Sequence, residues 1–204
     1  MNIASISENK NVEKRLAITP EIAKKYLSLG FKVSIPNDYG THLGFIDHDY
    51  KNLGVNILSD EKEIISSADI LVQLGLPDEQ KLSFLRENQT LVGSLNIFSN
   101  KEKLKNLNSK KINCFSLDLL PRITRAQSMD ILSSQANLAG YKAVIDAFQI
   151  YERAIPMMMT AAGTIPAAKI LVVGAGVAGL QAIATAKRMG AVAVSYTHLT
   201  LPTT

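Results

Sequence analysis

Two stretches of this 204-residue chain have the residue types and spacing to do chemistry. The first is Gly174-Ala175-Gly176-Val177-Ala178-Gly179. In a strand-to-helix turn the three glycines have separate uses. The first permits the tight turn, the second leaves room for a pyrophosphate, and the third lets the helix pack against the strand. The free N–H groups and positive dipole end of the helix then face the phosphate. The pattern alone says little. Here an apolar run, Lys169 to Val173, precedes it and a helical stretch, Val177 to Met189, follows it, as the phosphate reading requires. The competing reading is a tight turn that holds no ligand. One element of the fingerprint is missing. An acidic residue is expected about 20 residues further on, to bind ribose hydroxyls. Ser195, Tyr196, Thr197 and His198 stand there instead.

The second stretch runs from Pro121 to Ile145 and is too polar at its start for a buried segment. It offers Arg122, Arg125, Gln127, Asp130 and Ser133 within a dozen positions. A purely structural reading makes it a capped helix start. Thr124 and Gln127 then form a capping box, and Arg122 and Asp130 form a surface ion pair of little energetic weight. Single residues elsewhere carry less. Cys114 lies in the apolar run Ile112 to Leu117 and reads as a small buried hydrophobe rather than a reactive thiol. His42 and His48 read as ordinary surface or turn residues.

The elements that must position these residues follow a βα rhythm. Candidate strands are Ile3–Ile6, Lys32–Ile35, Val55–Leu58, Ile70–Leu74, Thr90–Gly93 and Ile112–Ser116. They are short and rich in Val, Ile and Leu, as buried parallel strands are. Helices are expected between them at Pro20–Leu29, Asp60–Ser66, Asp78–Arg86 and Asn100–Leu107. Pro20–Leu29 is the best marked, with Thr19 as N-cap, Pro20 at the first position and Gly30 as the stop. Repeated βα units give an α/β fold with a parallel sheet. A long helix, Ala136–Arg153, links this region to a second domain that opens near Pro166. The expected division is an N-terminal α/β domain over 1–130, a linker over 131–165, and the start of a nucleotide-binding domain over 166–194. Residues 195–204 carry no charge and no βα pattern. They are expected to be foreign to the natural continuation, which would leave the second domain incomplete and the chain a poor NADH binder on its own.

Composition narrows the classes further. Hydrophobic residues make up 47% and charged residues 20%, enough apolar material for a substantial core. The net charge is +4, but the lysines are scattered and no basic stripe with interleaved aromatics exists, which argues against nucleic acid as a partner. The single cysteine cannot form an internal disulfide and suits a reducing, cytosolic compartment. No run approaches the roughly 20 apolar residues that span a bilayer, so direct membrane insertion is not expected.

Three segments together carry a family resemblance: Pro121 to Ile145, Met157 to Thr164, and Val173 to Ala191. They resemble the alpha subunit of the proton-translocating NAD(P) transhydrogenases. Arg15-Leu-Ala-Ile-Thr-Pro-Glu21 is similar to the same family and to its relatives, the alanine dehydrogenases. The resemblance covers Met1 to about Val192 and is most specific between Pro121 and Ala191. It implies two Rossmann-like domains with parallel sheets and NAD(H) bound in the cleft between them. Arg122, Gln127 and Asp130, with Ser133 nearby, would contact the nicotinamide, and Ile123, Thr124, Arg125, Ser128 and Met129 would complete that loop. Gly174, Ala175, Gly176, Val177, Ala178 and Gly179 would hold the pyrophosphate. The resemblance further implies a homodimer, cytoplasmic and held at the inner membrane through its partners. It would pass hydride to NADP(H) on a separate component, coupled to proton movement through a membrane-embedded one. Such chemistry needs orientation more than acid or base. Gln127 can both donate and accept, and Arg122 with Asp130 can grip the two polar ends of a carboxamide. An alanine dehydrogenase would instead need a lysine and a histidine in the first domain, where Gly75 and Asn96 stand. A third reading, a nucleotide-sensing module without catalysis, would have no use for the Arg122, Gln127 and Asp130 set.

Overall fold

The computed structural model describes residues 1–196. Contacts divide them into two units, one of Met1–Met129 and one beginning at Asp130.

The first unit is a six-stranded parallel sheet with helices on both faces. Its strands are β1 (Asn2–Ala4), β2 (Lys32–Pro36), β3 (Asn56–Leu58), β4 (Ile70–Val72), β5 (Thr90–Gly93) and β6 (Asn113–Ser116). Their spatial order is β3-β2-β1-β4-β5-β6. The helices are α1 (Pro20–Ser28), α2 (Asp47–Leu53), α3 (Glu61–Ser67), α4 (Glu79–Ser83) and α5 (Lys101–Ser109). Each expected strand and helix is present, shifted by a few residues at most. Thr19 caps α1 through the Ile22 N–H, and Pro20 opens the helix.

Alternation along the strands feeds two cores. Ile3 and Val33 pack on one face with Ile18, Ala23, Ile35, Tyr39, Tyr50 and Val55. Ala4 joins Ile64, Ile65, Leu71, Leu82, Leu91 and Leu107 on the other. Helix α2 is not anticipated by the sequence. Only Tyr50 and Leu53 of its seven residues are large and apolar, too few for a clear period. It forms because the Ile46 N–H donates to the Asp49 carboxylate at 3.1 Å, Gly54 ends it, and Tyr50 is buried.

Cys114 departs from its expected burial. It lies exposed on β6, which pairs only with β5 and so forms a sheet edge. The apolar anchor of this segment is Ile112, just before the strand. Partial desolvation pushes the Cys114 thiol up, so exposure does not make it a thiolate.

The second unit holds α6 (Ile131–Ile150), the hairpin β7 (Met158–Thr160) and β8 (Gly163–Ile165), then β9 (Lys169–Val173), α7 (Val177–Arg188) and β10 (Val192–Tyr196). Helix α6 starts at Ile131, five residues before the expected Ala136, because Asp130 caps it. β9 and β10 pair in parallel. A small alanine-rich cluster of Val144, Ala168, Ala182, Ala186 and Ala191 forms the core of this unit. The hairpin carries no anticipated signal and is exposed along both strands. Of the segment 195–204, Ser195 and Tyr196 complete β10, and the rest lies outside the described residues.

Candidate nucleotide site

The glycine turn joins β9 to α7. Gly174 sits at φ +102°, in the region glycine alone enters freely, and turns the chain away from the strand. Gly179 is fixed by packing. A Cβ there would lie 2.0 Å from the Gly174 carbonyl oxygen. Gly176 differs from both. It caps α7 at φ −72° and ψ −173°, extended backbone that any residue adopts. A Cβ at Gly176 would meet nothing within 4 Å. Nothing in the fold requires a glycine at that place, whereas a group approaching the backbone from outside would. The first intrahelical bond runs from the Leu180 N–H to the Gly176 carbonyl at 2.9 Å. The N–H groups of Val177, Ala178 and Gly179 therefore point outward from the first turn. No acidic side chain stands in that turn to compete with an anion, and Ala175 completes it between the glycines.

β10 runs alongside. Tyr196 pairs with Val173, and the Gly174 N–H donates to the Tyr196 carbonyl at 3.0 Å. The missing ribose-binding acid belongs at the end of this strand, where Tyr196 is the last described residue; Thr197 and His198 lie outside the described residues.

The polar loop is a 3-10 turn over Thr124–Met129. Its anchor is Ala126, which is buried, while Arg122, Ile123, Thr124, Arg125, Gln127, Ser128 and Met129 are all exposed. The expected Thr124–Gln127 capping box does not form. Asp130 caps α6 instead, its Oδ1 accepting from the Ser133 N–H at 2.9 Å and its Oδ2 from the Ser133 hydroxyl at 2.6 Å. Ser133 and Asp130 are thus brought together as a bonded pair. A carboxylate also suits this place because it faces the positive end of a 20-residue helix.

The crevice at the C-terminal ends of β1 and β4 is the first unit's own topological switch point, where open α/β sheets hold small ligands. It is a cavity of about 480 Å³ bordered by Glu8, Asn9, Gln73, Asp78 and Lys81. Its groups are already engaged. Glu8 Oε1 accepts from the Leu74 N–H at 2.7 Å and the Gly75 N–H at 3.4 Å. Lys81 pairs with Glu61 at 3.0 Å and donates to the Ser7 carbonyl at 3.1 Å. Beneath them Ser5 donates to Gln73 at 2.7 Å and meets the Tyr39 hydroxyl at 2.8 Å. Arg15 grips Glu13 through two nitrogens, at 2.8 and 2.5 Å. The bond to Arg15 holds the Glu13 carboxyl below its usual range, and Glu13 in turn raises the guanidinium. No histidine borders the crevice. His42 lies near Lys14, its ring 2.7 Å from that carbonyl, and His48 is exposed on α2. Asn96 stands in a left-handed bend at φ +47°. Sequence reasoning singles out Gly75 and Asn96 but misses Glu8, a lone carboxylate in a polar run with no local pattern to mark it. Among the described residues, no cluster of three or more His, Cys, Asp or Glu could hold a metal ion, and no helix is long and apolar enough to cross a membrane.

A doubly wound sheet followed by a glycine-rich strand–turn–helix is the architecture of Rossmann-like oxidoreductases that bind nicotinamide dinucleotides. The chain belongs to the alanine dehydrogenase/PNT family. The family's N-terminal domain matches residues 5–139 and its C-terminal domain residues 143–199. It is 46% identical over 200 residues to an NAD(P) transhydrogenase subunit alpha protein of Rickettsia prowazekii, covering 96% of this chain and 52% of that protein. An alanine dehydrogenase of Methanococcus maripaludis is 27% identical over 194 residues, covering 94% and 52%. Among solved structures, the transhydrogenase from Sinorhizobium meliloti superposes with a TM-score of 0.88 at 45% identity, covering 95% of this chain and 58% of the other. The chain spans about half the length of the curated relatives it matches.

Proposed function

We propose that this chain is the NAD(H)-binding component of an NAD(P) transhydrogenase. Its relative of 46% identity carries the name of that enzyme's alpha subunit. The observation that carries the nucleotide reading is Gly176: a glycine whose missing side chain serves no packing and no backbone strain, set beside three outward N–H groups. A pyrophosphate fits that cradle.

NADH bound there would supply the hydride. The chain's own residues orient it. Gln127 and Arg122 offer exposed donors to a carboxamide, with Ile123, Thr124, Arg125, Ser128 and Met129 on or beside the same 3-10 turn. Asp130, held by Ser133, offers a fixed acceptor. The hydride acceptor would be NADP⁺ on a separate component, with proton movement through a membrane-embedded one. Two copies of the chain would form the soluble component on the cytoplasmic side.

The alanine dehydrogenase reading is disfavoured by the switch-point crevice. Gly75 and Asn96 supply no acid or base, and Glu8 and Lys81 are bonded within the fold. The experiment uses the full-length protein with its partner components. NADH-dependent reduction of an NADP⁺ analogue supports the proposal. Alanine-dependent reduction of NAD⁺ supports the dehydrogenase, and NADH binding without either reaction supports a sensor. Gln127→Asn is expected to slow hydride transfer far more than it weakens NADH binding. Equal losses in both would count against a positioning role for Gln127.

A further inference from the structure

Gly140 lies in the middle of α6, where glycine is among the poorest helix formers. Its place is explained by the neighbouring helix. A Cβ at Gly140 would lie 2.1 Å from the carbonyl oxygen of Ala178 and 2.8 Å from its carbonyl carbon. Helix α6 therefore rests backbone to backbone on the first turn of α7. Ala178 is also one of the residues whose N–H points out toward the phosphate cradle. Toward its start, α6 is tied a second time, where the Asn137 amide donates to Gln181 at 3.3 Å. Ten residues before the crossing stands Asp130, bonded to Ser133. At 1.5 Å per residue, the stretch from Gly140 back to Asp130 is an arm of about 15 Å.

We infer that Gly140 is a positioning residue. It sets the placement of the Asp130–Ser133 pair relative to the glycine turn, so that one rigid piece holds the nicotinamide end and the pyrophosphate end of the same cofactor. The inference rests on the NAD(H) reading of both places. Ordinary contact with the Ala178 oxygen begins at 3.4 Å, so any larger residue at 140 parts the helices by more than an ångström. The whole arm moves with α6. A misplacement of about 1 Å at a reacting centre costs on the order of 100-fold in rate. The turn itself, which belongs to α7, stays intact.

The test compares Gly140→Ala and Asn137→Ala with the unmodified full-length protein. NADH affinity is read by fluorescence, and hydride transfer to an NADP⁺ analogue is read in single turnovers with the partner components. For Gly140→Ala the rate should fall about 100-fold while the dissociation constant stays within about threefold. Asn137→Ala loosens the arm without overpacking it, because both partners are exposed or half-buried and the helix crossing is untouched. It should slow transfer severalfold at unchanged affinity, and it keeps the inference testable if Gly140→Ala does not fold. Unchanged rates in both variants, or parallel losses of rate and affinity, overturn the inference. If the unmodified protein binds no NADH, the functional reading fails instead, which is a separate outcome.

Discussion

In the first unit both faces of the sheet are covered; in the second, one face is bare. Ile3 and Ala4, adjacent in β1, each enter a different core beneath its own layer of helices. In β9 and β10 the alternation is equally regular, but only Ile170, Val172 and Ala193 find cover, against α6 and α7. Leu171, Val173, Val192, Val194 and Tyr196 line the other face at 49–64% exposure. Parallel sheets are ordinarily buried on both sides. The difference separates two properties that usually come together. The glycine turn has its full backbone geometry, with Gly174 at positive φ and Gly179 packed against it, on a platform with a small alanine-rich core. Local geometry at such a turn is thus set by a few backbone contacts, and stability is set elsewhere.

The largest expected effect tests that separation directly. Leu91 is fully buried at the centre of the first unit. Leu91→Ala should cost about 2–5 kcal/mol in denaturant unfolding. Leu171→Ala, on the bare face of β9, should cost less than about 1 kcal/mol, because its side chain is already 59% exposed. Equal losses would mean that the face is covered in solution, and the contrast between the units would collapse.

The next effect comes from a polar network that only the first unit possesses. The Tyr39 hydroxyl accepts from the Ala17 N–H at 3.2 Å and the Ile18 N–H at 3.3 Å, and it meets Ser5 at 2.8 Å. Tyr39→Phe leaves those buried donors without a partner and should cost about 1–3 kcal/mol. Burial also raises the pKa of Tyr39 and of Tyr50. A raised folded value means that the native state keeps its proton after the unfolded chain has lost it. Stability from these tyrosines is complete below about pH 10, the unfolded value, and falls as the pH rises beyond it. The tyrosines of the second unit, Tyr141, Tyr151 and Tyr196, lie at the surface. Alkaline unfolding followed by probes in each unit should therefore show the first losing stability above about pH 10, and Tyr39→Phe should weaken that dependence. Identical alkaline profiles for both units would remove this distinction.

Sequence legibility follows the same division between local and distant causes. The strands and most helices are readable because their signals are local: short β-branched runs, Thr19 before Pro20, and glycines as stops. The glycine turn is readable for the same reason. The cap of α6 is not, because Thr124 fits a capping box by spacing as well as Asp130 fits a single-residue cap, and only the 3-10 turn between them decides. Cys114 misleads because an edge strand and a central strand look alike in one dimension. Glu8 and Gly140 leave no signal, since their reasons lie at Leu74 and Ala178, far along the chain.

The smallest expected change in stability belongs to the residue with the most to say about function. Gly179→Ala drives a Cβ to 2.0 Å from the Gly174 oxygen. It should cost about 1–3 kcal/mol through overpacking and carry NADH binding down with it, so it cannot tell a structural turn from a ligand cradle. Gly176→Ala can. Its backbone is extended and the added methyl meets nothing within 4 Å, so thermal unfolding should be unchanged. The same methyl occupies the space a pyrophosphate needs. NADH affinity in the full-length protein should fall by roughly tenfold or more, about 1.4 kcal/mol for each factor of ten. A variant that keeps both its stability and its affinity would mean that Gly176 faces solvent for no purpose, and the turn would then be a structural one.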